Sequence, residues 1–248
     1  MTEIKAFIFD FIGTLTDVKG YSVETSELKL HKALVKSGFD VSQKEFLEAY
    51  AKSNEKFRLV RFQELVEVTN SVWISHALNC LGFNTNPEDA KLKTAVNVFF
   101  ENYLTSLKLK TCAKRLLTGL QKHYKLGLIS NFTYAPVIHA ALRKLGLNKF
   151  FNTVLVSEDV GWRKPSTKIF RQALQKVGVN GEETVYVGDS PKEDIGGASS
   201  LGMKTVFLPS QFNTLESLHQ SQIKPDLIVK DLCEMSKILP EFIRNLQK

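Results

Sequence analysis

Three apolar runs in this chain stop abruptly on polar residues able to do chemistry. Phe7-Ile8-Phe9 runs into Asp10, and a Gly13-Thr14 turn follows. Leu126-Gly127-Leu128-Ile129 ends on Ser130-Asn131, and Val185-Tyr186-Val187 ends on Gly188-Asp189-Ser190. Between the second and third lies Arg163-Lys164-Pro165, a cation just ahead of a helix start. A carboxylate at the C-terminal end of a buried strand is costly unless a cation or hydrogen-bond donors offset its desolvation. Open α/β sheets place their ligands at that edge. Asp10 is therefore a candidate nucleophile or metal ligand. If the runs lie parallel, a carboxylate, a hydroxyl, an amine and a second carboxylate converge at one edge.

The surrounding elements must bring these residues together. The first strand ends at Asp10, yet the next convincing buried strand begins near Tyr124. The stretch between is helical in pattern. Ser42-Gln43-Lys44-Glu45 reads as a capping box, and Asn86-Pro87-Glu88-Asp89 reads as an N-cap, a first-turn proline and acids near the positive end of the dipole. Leu65, Val68, Val72, Trp73, Ala77 and Leu81 follow helical spacing. Residues 20–109 thus read as an all-helical insertion, leaving 1–19 and 110–248 as the core. After the insertion, strands are predicted near 125–130, 153–157, 184–188, 204–208 and 226–229. Helices fall between them, one after the Ser166 N-cap and one from Asp194 through Leu201. Such alternation builds a parallel sheet covered on both faces. The fold class is α/β, a doubly wound parallel-sheet core with an inserted helical cap. From Leu232 onward the sequence reads as an amphipathic helix whose apolar stripe serves either the core or a dimer.

The 248 residues suffice for such a core and cap, and 43% apolar with 24% charged is ordinary for a soluble globular chain. Cys80, Cys112 and Cys233 are scattered without metal-site spacing, which predicts free thiols in a reducing compartment. No secretory signal and no bilayer-length apolar run is visible, so the expectation is a cytoplasmic protein with no membrane partner. The net charge of +7 suits an anionic substrate. The densest basic stretch, Lys108, Lys110, Lys114 and Arg115, reads as a solvated face, and no base-stacking module accompanies it, so no nucleic-acid partner is expected. The sequence leaves monomer or homodimer open.

Taken in order, Asp10 to Leu15, Ser130, Lys164-Pro165 and Gly188 to Asp194 resemble the four motifs of the haloacid dehalogenase superfamily: D-x-x-G-T-[LV], a strand ending in Ser or Thr, Lys-Pro before a helix, and G-D-x-x-x-x-D. The resemblance covers the whole chain and implies a Rossmann-like core with a cap inserted after the first motif. Most phosphatases of the superfamily carry a second Asp two residues after the nucleophile; here that position is Ile12. The D-F-I-G-T-L form is similar to an archaeal group of glyceraldehyde 3-phosphate phosphatases.

That resemblance implies a Mg²⁺-dependent phosphatase for a small phosphorylated metabolite. Asp10 would attack phosphorus and form an aspartyl phosphate. Mg²⁺ prefers oxygen ligands and would be held by Asp10, Asp189 and the main-chain carbonyl of Ile12. Asp194 would orient metal waters or cap the following helix. Lys164 would neutralise Asp10 and the phosphoryl oxygens. Ser130 and Asn131 would donate to a phosphoryl oxygen, and Thr14 would hydrogen-bond near Asp10. Arg163 is expected at the surface. The acid missing at Ile12 is worth about 10²–10⁴ in rate. Asp17, Glu24, Glu27 and His31 are positions that could replace it, as could a metal-bound water or the substrate's own hydroxyl. Two other functions remain open: a 2-haloacid dehalogenase, whose leaving halide needs no proton, and a phosphate-ester binder without catalysis.

Overall fold

The structure is a computed structural model and describes residues 3–246. Strand β1 (Ala6–Phe9) is wholly buried. The chain then turns at Gly13 into the short strand β2 (Thr16–Val18) and enters four helices: α1 (Val23–Lys36), α2 (Gln43–Glu64), α3 (Asn70–Cys80) and α4 (Ala90–Ser106). It returns through β3 (Leu107–Leu109), which pairs antiparallel with β2. The helical cap is thus tied at its base by a two-stranded ribbon.

Strands and helices then alternate: α5 (Ala113–Leu120), β4 (Lys125–Ser130), α6 (Ala135–Lys144), β5 (Thr153–Val156), α7 (Ser157–Val160), α8 (Thr167–Val177), β6 (Thr184–Gly188), α9 (Gly197–Ser199), β7 (Lys204–Phe207), α10 (Leu215–Ser221), β8 (Leu227–Ile228) and α11 (Leu232–Leu246). The six core strands form one parallel sheet in the order β5-β4-β1-β6-β7-β8. A parallel sheet covered on both faces is built from continuous apolar runs. Alternate residues go to opposite faces. Phe7, Phe9, Leu126, Leu128, Val185 and Val187 pack with the cap, α5 and α11, whereas Ile8, Ile129 and Tyr186 pack with Ile169, Phe170 and Ala173 of α8. This is the doubly wound core the alternation implied.

Register sets the site. Phe9 lies opposite Leu128 on one side and Val187 on the other. Asp10, Ser130 and Asp189 therefore leave the sheet within two residues of those partners, at one edge.

Several local expectations need correction. Leu65 and Val68 do not belong to a helix running through Leu81: α2 stops at Glu64, Leu65 takes a left-handed φ of 56°, and α3 starts at Asn70. Helix α4 is capped by Asp89, not Asn86, because Asn86–Asp89 closes a turn of its own in which Asn86 Oδ1 accepts from Glu88 N at 2.8 Å. The helix expected from Asp194 starts earlier, as a π-turn over Pro191–Gly196 capped by Ser190. The thiol expectation fails as well. Cys112 and Cys233 form a disulfide across 121 residues of sequence, and Cys80 is free and exposed. Spacing reveals only local pairings, whereas this one depends on α11 laying Leu232, Met235, Leu239 and Ile243 inward with α5 as its neighbour. Among the described residues no helix is long and apolar enough to cross a membrane.

Candidate active site

Lys164 is 2% exposed, and its ammonium is surrounded by acceptors. Nζ donates to Asp10 Oδ1 at 2.7 Å, Asp194 Oδ1 at 2.6 Å, Tyr186 OH at 3.2 Å and the Ile129 carbonyl at 3.3 Å. A buried charge is tolerable only when paired and hydrogen-bonded in this way. Burial pulls the lysine pKa down, but the Asp10 and Asp194 charges outweigh it and hold the ammonium well above its usual range. Burial pushes the Asp10 carboxyl up to about 8, with Lys164 pulling down and Asp194 and Asp189 pushing further up. The two shifts are compatible, since the ammonium faces two anions while Asp10 faces one cation and two anions.

The Lys164 loop is held by Asn131. The Lys164 N–H donates to Asn131 Oδ1 at 2.8 Å, and Asn131 Nδ2 donates back to the Lys164 carbonyl at 3.0 Å and to Glu193 Oε2 at 2.9 Å. Asn131 therefore clamps this loop, and its amide is not free for a phosphoryl oxygen.

Asp189 and Asp194 complete a buried carboxylate cluster with Asp10, with one oxygen of each lying within 4.8 Å of the others. Asp189 Oδ2 accepts from Ser210 Oγ at 2.5 Å and Asn213 Nδ2 at 3.1 Å. Burial raises the Asp189 carboxyl to about 6, with the Asp194 charge adding and those two hydrogen bonds opposing. Asp194 Oδ2 accepts from the N–H groups of Asp189 at 3.1 Å and Ser190 at 2.9 Å. Its helix-capping role is taken by Ser190; Asp194 instead pins Lys164 to the backbone that carries Asp189. Two glycines make the approach possible. A Cβ at Gly13, where φ is +95°, would sit 2.4 Å from Asp189 Oδ2, and one at Gly188 would sit 2.4 Å from Asp194 Cβ.

Three carboxylates against one ammonium leave two negative charges in a buried cluster when all are ionised. Asp10 Oδ2 is buried and has no hydrogen-bond partner among the described residues. An all-oxygen donor set with an orphaned carboxylate oxygen fits a hard divalent cation such as Mg²⁺. The Gly13–Thr16 turn uses the Phe11 carbonyl and the Gly13 N–H, leaving the Ile12 carbonyl out of both bonds.

These residues line a cavity of about 480 Å³, which also includes Ile12, Ser130, Tyr103, Phe132, Phe212 and Asn213. Thr14 is not among them: it is fully buried, and its hydroxyl has no hydrogen-bond partner among the described residues, so the bond expected near Asp10 is not formed. Asp17, Glu24, Glu27 and His31 also lie outside the lining. Asp17 faces Lys110 at 3.6 Å, and His31 Nε2 is 2.9 Å from the Val41 carbonyl. Lys110 is no mere surface cation, because its ammonium donates to the Gly13 carbonyl. Arg163, expected at the surface, is 4% exposed. No sequence signal marked Tyr103, Phe212 or Asn213, which reach the cavity from outside the four motifs. A larger groove of about 630 Å³ between α5 and α11 has Arg115, His123 and Lys237 around an apolar lining and no carboxylate.

The family model for haloacid dehalogenase-like hydrolases matches residues 4–202. The chain belongs to this family. Among curated haloacid dehalogenase-like relatives, a glyceraldehyde 3-phosphate phosphatase of Methanothermobacter thermautotrophicus is 27% identical over 240 residues, covering 95% of this chain and 100% of that protein. A ribulose-1,5-bisphosphate 5-phosphatase of Halopiger xanaduensis is 27% identical over 208 residues, covering 83% and 85%. Among solved structures, a 2-haloacid dehalogenase from Pseudomonas syringae pv. Tomato DC3000 superposes with a TM-score of 0.68 at 25% identity, covering 98% of this chain and 99% of that one. As a haloacid dehalogenase-like hydrolase, the chain carries Asp10, Ser130, Lys164 and Asp189 at the converging strand ends and loops, and Ile12 where most of the superfamily's phosphatases have a second Asp.

Proposed function

We propose that this hydrolase is a Mg²⁺-dependent phosphatase of a small phosphorylated metabolite, with glyceraldehyde 3-phosphate the first substrate to test. The observation that carries this reading is the buried Asp10, Asp189 and Asp194 cluster around Lys164, with Asp10 Oδ2 left without a hydrogen-bond partner among the described residues. A metal-free displacement by Asp10 would not call for Asp189 buried beside it. Asp10 and Asp189 would hold Mg²⁺, with the Ile12 carbonyl as a further oxygen and Asp194 as organiser. When bound, the cation neutralises repulsion between an anionic ester and an anionic nucleophile.

Asp10 attacks phosphorus in line, the P–O bond to the leaving oxygen breaks, and that oxygen takes a proton from water. A second water then attacks the aspartyl phosphate to release inorganic phosphate and restore the Asp10 carboxylate. Lys164 balances the Asp10 charge before attack and the phosphoryl charge after it. The Ser130 hydroxyl donates to a phosphoryl oxygen. Residues 20–109 act as a cap that excludes water, and 1–19 with 110–248 form the catalytic core. The partner is the small ester, not nucleic acid or membrane, acting on a monomer or homodimer. A cytoplasmic location loses its cysteine argument, because Cys112 and Cys233 are bonded, and rests on the small-metabolite reading alone.

The test is phosphate release from p-nitrophenyl phosphate and a panel including glyceraldehyde 3-phosphate, with and without Mg²⁺, using Asp10→Asn as control. Mg²⁺-dependent release that vanishes in the variant is the expected result. Likeness to a 2-haloacid dehalogenase favours a second reading, since loss of halide needs no acid at Ile12. Neither Arg58 nor Arg61 reaches the cavity to hold a substrate carboxylate; they pair with Glu55 and Glu67 at 2.6 and 2.7 Å. Halide release from 2-chloropropionate without Mg²⁺, and no phosphate release, would establish it instead.

A further inference from the structure

The cap meets the core at a second place, away from the β2–β3 ribbon. The left-handed turn at Leu65 ends α2 and drops the following residues onto segment 161–163. Such a φ is uncommon outside glycine. Val66 pairs with Trp162, Glu67 N donates to the Gly161 carbonyl at 2.9 Å, and Arg163 N donates to the Leu65 carbonyl at 3.1 Å. The Glu67 side chain is fully buried there. Its carboxylate accepts from Arg61 Nε at 2.7 Å and from the Ser157 hydroxyl, and lies 3.6 Å from Arg163 Nη1.

Arg163 belongs to the core yet lodges against the cap. Its guanidinium lies 4.4 Å from the ring centre of Phe62, and Nη2 donates to Glu193 Oε1 at 3.3 Å. Nε and Nη1 are buried without a hydrogen-bond partner among the described residues. Leaving a buried guanidinium half-satisfied is unfavourable, so packing alone would be better served by an apolar side chain. The contacts continue inward. Glu193 Oε2 accepts from Asn131 Nδ2 at 2.9 Å, and Asn131 holds both the N–H and the carbonyl of Lys164. An ion pair at 3.6 Å between Glu67 and Arg163, followed by hydrogen bonds through Glu193 and Asn131, therefore leads from a cap carboxylate to the main chain of the lysine whose ammonium meets Asp10.

We propose that Glu67 is a positioning residue: seated on Arg163, it fixes the Lys164 main chain through Glu193 and Asn131, so that seating the cap and placing the ammonium at Asp10 are one event. A cap that lifts takes Glu67 and Phe62 away from Arg163. Arg163 then turns to other partners, and Glu193 and Asn131 lose their anchor. Polar networks in a low-dielectric interior transmit such a loss because each member depends on its neighbours.

The turnover part of this proposal rests on the phosphatase reading; the mechanical coupling does not. Glu67→Gln should lower kcat on p-nitrophenyl phosphate with Mg²⁺ roughly 10–100-fold, as misplacement of a charged group does. KM should move by about twofold or less. Glu67→Asp, which keeps the charge, should restore most of the rate. Hydrogen exchange of Glu67→Gln should quicken in 161–164, which touches Glu67, and in 129–133, where the Phe132 N–H is also tied to Glu67 through the Ser157 hydroxyl. It should quicken as well in 189–195, which has no such second tie and so decides the route through Arg163 and Glu193, while α8 stays protected. Glu55→Gln, which removes an exposed ion pair on the same helix, should behave as wild type.

Wild-type kcat in Glu67→Gln, exchange that does not quicken in 189–195, or an equal loss in Glu55→Gln overturns the proposal. A lower melting temperature with unchanged kcat and unchanged exchange at 189–195 assigns Glu67 a merely structural role. If Glu67→Gln does not fold, Arg163→Lys carries the same test, since it keeps the charge but loses the planar fork. If the wild type hydrolyses no ester, the phosphatase reading falls and the exchange pattern alone decides.

Discussion

Asp10 and Lys164 stabilise each other, but the pair does not neutralise its surroundings. With Asp189 and Asp194 ionised, the cluster is short of positive charge, and burial holds Asp10 near 8 and Asp189 near 6. Both are raised above their unfolded values. Without metal, their contribution to stability is therefore present at low pH and is lost as pH rises through about 6 and then about 8. Mg²⁺ held as proposed would compete with protons for the same oxygens, so its stabilisation should grow over that window. Melting temperatures measured with Mg²⁺ and with EDTA at pH 5, 6, 7 and 8 should diverge steadily; a constant gap would take the cation away from these carboxylates.

Gly13 offers a sharper probe. Alanine there must adopt a positive φ and push against Asp189, so Gly13→Ala should weaken Mg²⁺ binding in a titration by tenfold or more, on the order of 1.4 kcal/mol. Ile12 gives the third residue-scale prediction. With Ile12 where a general acid would stand, log kcat/KM should fall steeply as the alcohol becomes less acidic. Ile12→Asp should flatten that plot by helping poor leaving groups most. A plot that is already flat in the wild type would show that another group supplies the proton.

At the scale of elements, what the sequence revealed divides by the range of the interaction. The strands ending at Asp10, Ser130 and Gly188 were legible because buried parallel strands are written as continuous apolar runs that stop on polar residues. Three of the four cap helices, α2, α3 and α4, left a capping or spacing signal, while nothing marked α1. Ser42 caps α2 as its box implied, but the ends at Leu65 and Asn86 were not legible. Leu65 to Val68 keep helical spacing, yet they serve as the turn that pairs with Trp162, a tertiary contact that overrides periodicity. Arg163 looked like a surface residue because its partners Glu67 and Glu193 lie 96 and 30 positions away, and no local pattern joins them. Thr14 sat in a motif, and only the folded structure shows it buried outside the cavity lining. The cysteines follow the same logic. Cys112 precedes α5 and Cys233 lies in the first turn of α11, so the disulfide staples the last helix to the core. Closing a loop that long constrains the unfolded chain by about 4–5 kcal/mol in the loop-entropy model. Cys233→Ser, or reduction of the wild type, should lower the melting temperature by on the order of 10 °C, and calorimetry of the oxidised, reduced and variant proteins checks it. Equal melting temperatures in all three would mean that the apolar stripe of α11 suffices alone.

At the scale of the whole molecule, the cap is held to the core on two flanks of one cavity. On one flank Glu67 meets Arg163. On the other, Phe100 of α4 stacks on Tyr134 with centroids 4.9 Å apart, Tyr103 lies 5.0 Å from Phe132, and the Tyr134 hydroxyl donates to Asn97 of α4. Phe132 and Tyr134 follow Ser130-Asn131 directly, so the cap rests on the loop that carries two of the site residues. Tyr103 is the cap side chain that lines the cavity. A cap seated on both flanks leaves about 480 Å³, room for a small ester but not for a folded protein surface. The net charge of +7 favours encounter with anions over the molecule as a whole, while the cavity volume limits what can react. Catalytic efficiency should therefore fall with substrate size among esters of similar leaving-group acidity. Triose and pentose phosphates should be hydrolysed, and a phosphoserine within a folded protein should be untouched. Phosphate release across such a series, at fixed ionic strength, measures it. Phe132→Ala removes one aromatic wall and should relax the size limit before it lowers turnover of the smallest ester. Efficient release from a phosphoprotein by the wild type would mean that the cap opens widely in the productive complex, and that the contacts on both flanks break with every turnover.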